Sequence, residues 1–370
     1  MRRSMTWVWR ASWLLLPIAF VARLVAPERH VLVFTVSCLS LMPLAKAMGD
    51  ATEDLAERLG PGAGAILNAS FGNAAELILG ILALSRGHVA LVKGSITGSI
   101  LGNLLLIAGG AITVAGTRYP TVRFNRVAAG ATVSTLFLAV VALAVPTLLA
   151  ATAGAHAAAK LLSEEIAVVL VVMYGLSLLF QFRTQERVVA ASEPRPFLPA
   201  TPGEAAAAAQ EAGGRDLANP WWAGGRLLLA GAATGVASEL LVGSLEGTLQ
   251  SVHLPETFVG VVIVAIVGNA AEHSSAIAFG RRGQMDVALG IAWESSKQIA
   301  LLVAPILVFA GVVLGAPMDL SFTRFEAAAI GLAVLATAII ALDGETHWLE
   351  GTFLVAVYAV LAIGFYFVGS

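Results

Sequence analysis

Two carboxylates in this chain stand where carboxylates are expensive. Glu76 and Glu272 each close a copy of Gly-Asn-Ala-Ala-Glu, at Gly72–Glu76 and Gly268–Glu272, and both copies lie inside long apolar stretches. An ionisable side chain at membrane depth costs at least ~2.5–3.5 kcal/mol on insertion scales, so its presence is a functional hypothesis by default. Asn73 with Glu76, and Asn269 with Glu272, set an amide and a carboxylate three residues apart, on one helical face. If the two pairs meet across a pseudo-two-fold axis near the midplane, they form a buried site made of oxygen ligands.

Such a hard site suits Ca²⁺, which takes roughly 6–8 oxygens in flexible geometry, better than Zn²⁺, which prefers His or Cys. On the helix that follows each copy, further oxygens come from Ser99 and Asn103, spaced i,i+4, and from Ser295 and Gln298, spaced i,i+3. Two buried carboxylates close together cannot both stay ionised without a counter-charge. A divalent cation can neutralise them, and so can protons. Those occupancies exclude one another, which is the physical requirement for antiport. His273, beside Glu272, is a candidate proton carrier.

The elements that must position these groups form an internal repeat. An offset of 196 residues carries Gly72 onto Gly268, Arg86-Gly87 onto Arg282-Gly283, Gly94 onto Gly290, Ser99 onto Ser295, and Leu105-Leu106 onto Leu301-Leu302, without a gap. Apolar runs near the ~20 residues that span a bilayer fall at 11–26, 31–48, 62–85, 89–116, 126–150, 164–182, 224–248, 257–280, 286–315, 324–342 and 347–368. The expected fold is an all-α polytopic membrane protein of about eleven transmembrane helices. Residues 1–26 form an extra N-terminal helix that mimics a signal peptide but lacks a clean cleavage site; 27–182 and 223–370 are the two repeats. Each repeat has five helices, an odd number, so the two units are inverted in the bilayer, as in secondary transporters. Residues 183–222, with Pro194, Pro196, Pro199 and the tract Ala205–Ala209, read as a cytoplasmic linker, with a short Ala-rich helix. The ladder Gly94-x-x-x-Gly98-x-x-x-Gly102 reads as a close-packing face.

Composition supports the membrane setting. Of 370 residues 58% are hydrophobic and 12% charged, with a mean hydropathy of +0.84, against roughly 25% charged in soluble domains. The net charge of −2 leaves no nucleic-acid footprint, and the single Cys38 excludes an intramolecular disulfide and a Cys-rich metal site. There is no His-Glu-x-x-His motif and no phosphate-binding Gly-x-x-x-x-Gly-Lys-Ser/Thr loop, so neither a zincin nor an ATP-driven pump is supported. Arg2, Arg3, Arg10, Lys46, Arg58, Arg118, Arg123, Arg126, Arg281 and Arg282 collect on one side, which predicts a cytoplasmic N-terminus. The Arg-over-Lys, Ala-rich composition suggests a prokaryotic cell (inner) membrane.

The runs Leu67-Asn-Ala-Ser-Phe-Gly-Asn-Ala-Ala-Glu76, Ser238-Glu-Leu-Leu-Val-Gly-Ser-Leu-Glu246 and Val267-Gly-Asn-Ala-Ala-Glu-His273 resemble the signature repeats of the Ca²⁺/H⁺ exchangers. These form the CAX branch of the cation/Ca²⁺ exchanger superfamily. The resemblance implies eleven helices, with the first outside the repeats. The residues together are read as an exchanger of Ca²⁺ for H⁺ by alternating access with no cofactor. One lone thiol with no recognisable nucleophile–base pairing gives an enzyme little support. The resemblance further implies Ca²⁺ binding by Glu76 and Glu272, with Asn73, Asn269, Ser99, Asn103, Ser295 and Gln298 lining the site. It also implies that Glu53 and Glu239 flank the ion path.

Two features depart from the family. Glu294-Ser295-Ser296-Lys297-Gln298 stands where an uncharged run is usual, so Glu294 and Lys297 either form a buried pair or alter the ion path. The linker, often strongly acidic in relatives, is here nearly balanced by arginines. Alternatives are a Na⁺/Ca²⁺, Mn²⁺/H⁺ or monovalent cation exchanger of the same fold, and a passive cation channel.

Overall fold

The computed structural model describes residues 13–152, 156–183 and 220–368. The linker expected at 183–222, with its Ala-rich helix, falls almost wholly outside the described residues, as do Arg2, Arg3 and Arg10. The described chain is nearly all helix, as it must be where no water is at hand to satisfy backbone N–H and C=O groups.

In chain order the helices are α1 (Leu15–Val25), α2 (His30–Phe71), α3 (Ala74–Ser85), α4 (Val89–Gly116), α5 (Arg126–Ala150) and α6 (His156–Arg183). Then follow α7 (Pro220–Gly243), α8 (Leu245–Val252), α9 (Glu256–Gly268), α10 (Ala270–Gly280), α11 (Met285–Val313), α12 (Arg324–Ala341) and α13 (Trp348–Val368). Among the described residues eight helices are long and apolar enough to cross a membrane, or nine if α8 and α9, bent by 111°, make one span. The shorter apolar helices are α1 and α3. Every apolar run picked out in the sequence overlaps a helix.

The largest departure from the expected bounds falls on α2. The polar stretch between the runs 31–48 and 62–85 does not interrupt α2, which continues through it to Phe71. The acids there keep the helix because they find cations: Lys46 Nζ lies 3.3 Å from Asp50, and Arg226 of α7 lies 2.7 Å from Asp54.

The chain forms two compact units. The first gathers the described residues of 1–95 and 214–271, the second those of 96–213 and 272–368. Each unit therefore takes helices from both sequence repeats. In the first, α7 lies along α2 and α3, and α1 packs on α2. Ala45, Met48, Ala74, Ala75 and Ala230 form one small-residue core there; Ala19, Val33 and Leu240 form another.

Small side chains bring backbones close. A Cβ on Gly94 would stand 2.8 Å from the Thr257 carbonyl, and one on Gly260 2.6 Å from that of Leu91. The Gly94 end of the ladder is thus a packing face, whereas a Cβ on Gly102 would meet nothing within 4 Å. Gly94→Val should lower stability by about 1–3 kcal/mol, measured by thermal unfolding in detergent, while Gly102→Ala should be near neutral.

In the second unit α5 packs on α12 and α6, and α13 on the last turns of α4. Asn125 caps α5 by accepting from the Val127 and Ala128 N–H groups at 3.0 Å, and Thr323 with Glu326 forms a capping box on α12. A short antiparallel pair, β1 (Val122–Arg123) and β2 (Glu345–Thr346), ties the α4–α5 and α12–α13 connections together. Ser37, Thr52, Thr97, Ser163 and Thr234 are buried, whereas Leu148, Leu228 and Val360 are 64–77% exposed. Polar groups inside and a broad apolar exterior are what a lipid surround selects. The chain is a multi-pass membrane protein.

Candidate cation site

The two signature pentapeptides do not sit in helix interiors, as expected, but at helix breaks. Asn73 separates α2 from α3 with φ −107° and ψ 33°; Asn269 separates α9 from α10 with φ −92° and ψ 15°. A helix end leaves its last carbonyls without intrahelical donors and presents free N–H groups at the next start. Each break therefore places carbonyl oxygens and a positive helix end at the same point. Glu76 and Glu272 both lie in the first turn of the helix that restarts, where negative charge is favourable.

In the first unit the breaks of the two repeats come together. A Cβ on Gly268 would stand 3.5 Å from Glu76 Oε1 and 3.6 Å from its Cγ, so the Glu76 carboxylate lies directly against the second repeat's backbone. Asn73 and Asn269 are 2% and 0% exposed. The Asn269 amide donates to the Ala265 carbonyl at 2.9 Å, which holds its side chain back along α9.

Glu53, on α2, is half-buried. Glu239 is exposed on α7 and ion-paired with Arg86 of the α3–α4 turn. His88 Nδ1 and the Leu91 N–H meet the Glu256 carboxylate at 3.1 and 3.3 Å, closing the start of α4.

In the second unit Asn103 donates to Ser295 Oγ at 3.0 Å. That bond joins the oxygen-bearing helices α4 and α11, one from each repeat. Ser99, one turn before Asn103, is also buried. Asn103 stands in a π-helical segment, Gly102–Ile107, and a second one, Ile299–Val303, follows Gln298 at the repeat-related place. Such segments shift side-chain register and are frequent at functional sites. His273, in the first turn of α10, buries Nε2 without a hydrogen-bond partner among the described residues.

Glu294 and Lys297 form an ion pair in which Lys297 is buried and Glu294 is a third exposed. Lys297 is 5% exposed and ion-paired with Glu294, which also accepts from Thr132 Oγ1 of α5 at 2.9 Å. Tyr174 of α6 lies beside Gln298. Thr132 and Tyr174 escaped sequence reasoning because neither lies in a repeat match. Gly268 lay in plain view within the motif, and its lack of a side chain was the available signal.

Among the described residues no group of three or more His, Cys, Asp and Glu is gathered as a ligand set.

The profile of the family described as sodium/calcium exchanger protein matches residues 29–183 and 222–367. The chain is 42% identical to a Ca²⁺/H⁺ antiporter of Synechocystis sp., over 90% of this chain and 91% of that one. It is 40% identical to a Ca²⁺/H⁺ antiporter of Aphanothece halophytica over 91% of each. A crystal structure of the selenium-substituted Ca²⁺/H⁺ antiporter protein YfkE matches the fold with a TM-score of 0.77 and 34% identity, over 97% of this chain and 99% of that one. The chain belongs to the sodium/calcium exchanger protein family, a family of membrane transporters rather than enzymes.

Proposed function

We propose that this protein exchanges Ca²⁺ for H⁺ across a membrane by alternating access, with Glu76 and Glu272 binding Ca²⁺ or protons in turn. The observation that carries the reading is the Glu76 carboxylate against Gly268, which joins the acid of one repeat to the broken helix of the other. Breaks at Asn73 and Asn269 supply the carbonyl oxygens and positive helix ends that a buried Ca²⁺–carboxylate site needs. The relatives at 40–42% identity, named as Ca²⁺/H⁺ antiporters, support the same ions.

In this reading Asn73, Asn269, Ser99, Asn103, Ser295 and Gln298 line the site, and no cofactor takes part. His273 hands on protons, and Glu53 and Glu239 flank the ion path. Eleven crossings with a cytoplasmic N-terminus in a prokaryotic inner membrane complete the arrangement. The neutral Glu294–Lys297 pair leaves the divalent site its negative charge. Na⁺/Ca²⁺ exchange is the second reading, favoured by the description of the matching family.

In proteoliposomes an imposed pH gradient should drive saturable Ca²⁺ uptake. Uptake driven only by a Na⁺ gradient would replace the proton with Na⁺. Uptake indifferent to either gradient would overturn exchange and leave a channel.

A further inference from the structure

At one end of the second unit six helix ends converge: the last turns of α4, α10 and α12 and the first turns of α5, α11 and α13. The connections there are locked to one another. Arg118 Nη1 donates to the Arg281 carbonyl at 3.4 Å and Tyr119 Oη to that of Arg282 at 3.5 Å. Asp286 accepts from the Asn125 N–H at 2.6 Å, and β1 pairs with β2. The two turns that carry arginine are therefore held side by side.

This end is charged unevenly. Arg118, Arg126, Arg281 and Arg282 are exposed, and among the described residues none of them has an ion-pair partner. The acids nearby keep their charge but pair with none of these four. Glu345 pairs with Arg123 at 2.7 Å, Asp343 caps the Glu345 N–H at 3.1 Å, and Glu350 accepts from Thr346 at 2.8 Å. Exposed guanidinium groups that have no ion-pair partner among the described residues favour an external anion.

The aromatic residues indicate which anion. Tyr119 is 41% and Trp348 53% exposed at this end, and such rings favour the level of the lipid headgroups. Residues 126–150 and 348–368 run from this end as exposed apolar helices, so a molecule bound there has phosphate beside arginine and acyl chains beside Leu, Val and Phe.

We propose that this arginine cluster is a binding surface for anionic phospholipid headgroups, fixing the second unit to a negatively charged leaflet. The surface is separate from the cation site, and its test does not depend on transport.

The test is thermal unfolding of the full-length protein in neutral detergent with added phosphatidylglycerol, phosphatidylcholine or inorganic phosphate. Phosphatidylglycerol should raise the unfolding temperature by about 5 °C and the other two should not. R118Q/R126Q/R281Q/R282Q should lose that shift. R281Q/R282Q, confined to an exposed turn, should lose part of it, and R29Q/R324Q, an equal loss of exposed charge elsewhere, should keep it. The proposal is overturned if phosphatidylglycerol gives the wild type no shift, if free phosphate gives the same shift, or if R281Q/R282Q responds as fully as the wild type.

Discussion

Glu76→Gln or Glu272→Gln should each abolish Ca²⁺ uptake driven by a pH gradient, reducing it by at least ~100-fold. Glutamine keeps the shape and one oxygen but removes the charge that both Ca²⁺ and the proton require. Taking one partner from a buried charge interaction costs roughly 3–5 kcal/mol, and ~2.7 kcal/mol is already two decades at 1.36 kcal/mol per decade. Each glutamate opens a helix just after a break, with Asn73 or Asn269 at the junction, so the amide form should leave the backbone unchanged. Unfolding temperatures near that of the wild type would show that the lost charge, not misfolding, is responsible. Uptake within tenfold of wild type in either variant would remove that carboxylate from the site.

The second large effect concerns the pair that departs from the family pattern. Lys297→Met should destabilise the protein by about 2 kcal/mol, between the values for surface and buried pairs, because it leaves the Glu294 carboxylate, itself a third exposed, without its ammonium partner. The double variant Glu294→Gln/Lys297→Met should recover most of that loss, since an amide still accepts from Thr132 and no charge is left alone. Thermal unfolding of the three proteins in one detergent reads the comparison. A single variant as stable as the wild type would mean that the pair contributes nothing to holding α11 against α5.

The repeat that the sequence displays is carried into backbone detail. Gly87 and Gly283, related by the 196-residue offset, both take positive φ, 82° and 75°, in the turns after α3 and α10. Residues with a side chain rarely adopt that conformation, so the paired glycines have a backbone reason to match. Glu76 and Glu272 were conspicuous because a carboxylate in an apolar run has no cheap explanation.

What stayed hidden follows from equally physical causes. The breaks at Asn73 and Asn269 fall at Gly-Asn pairs, poor helix formers whose signal is blurred by the Ala-rich, apolar sequence around them. Only the packing of Glu76 on Gly268 gives one a purpose. The continuation of α2 through its acidic stretch rests on Arg226, 172 residues away from Asp54. Residue spacing within a segment cannot report such a partner. The π-helical segments after Leu101 and Gln298 leave little composition signal, since apart from Gly102 and Asn103 their residues are the same Leu, Ile, Val and Ala as the flanking turns.

The central claim is tested most directly by recording Ca²⁺ entry and proton exit together in the same proteoliposomes, with no Na⁺ present. The account predicts that Ca²⁺ addition evokes proton release in fixed proportion to Ca²⁺ uptake, and that both fluxes vanish together in Glu76→Gln and Glu272→Gln. Ca²⁺ entry without proton release, or proton release that survives either substitution, would contradict it.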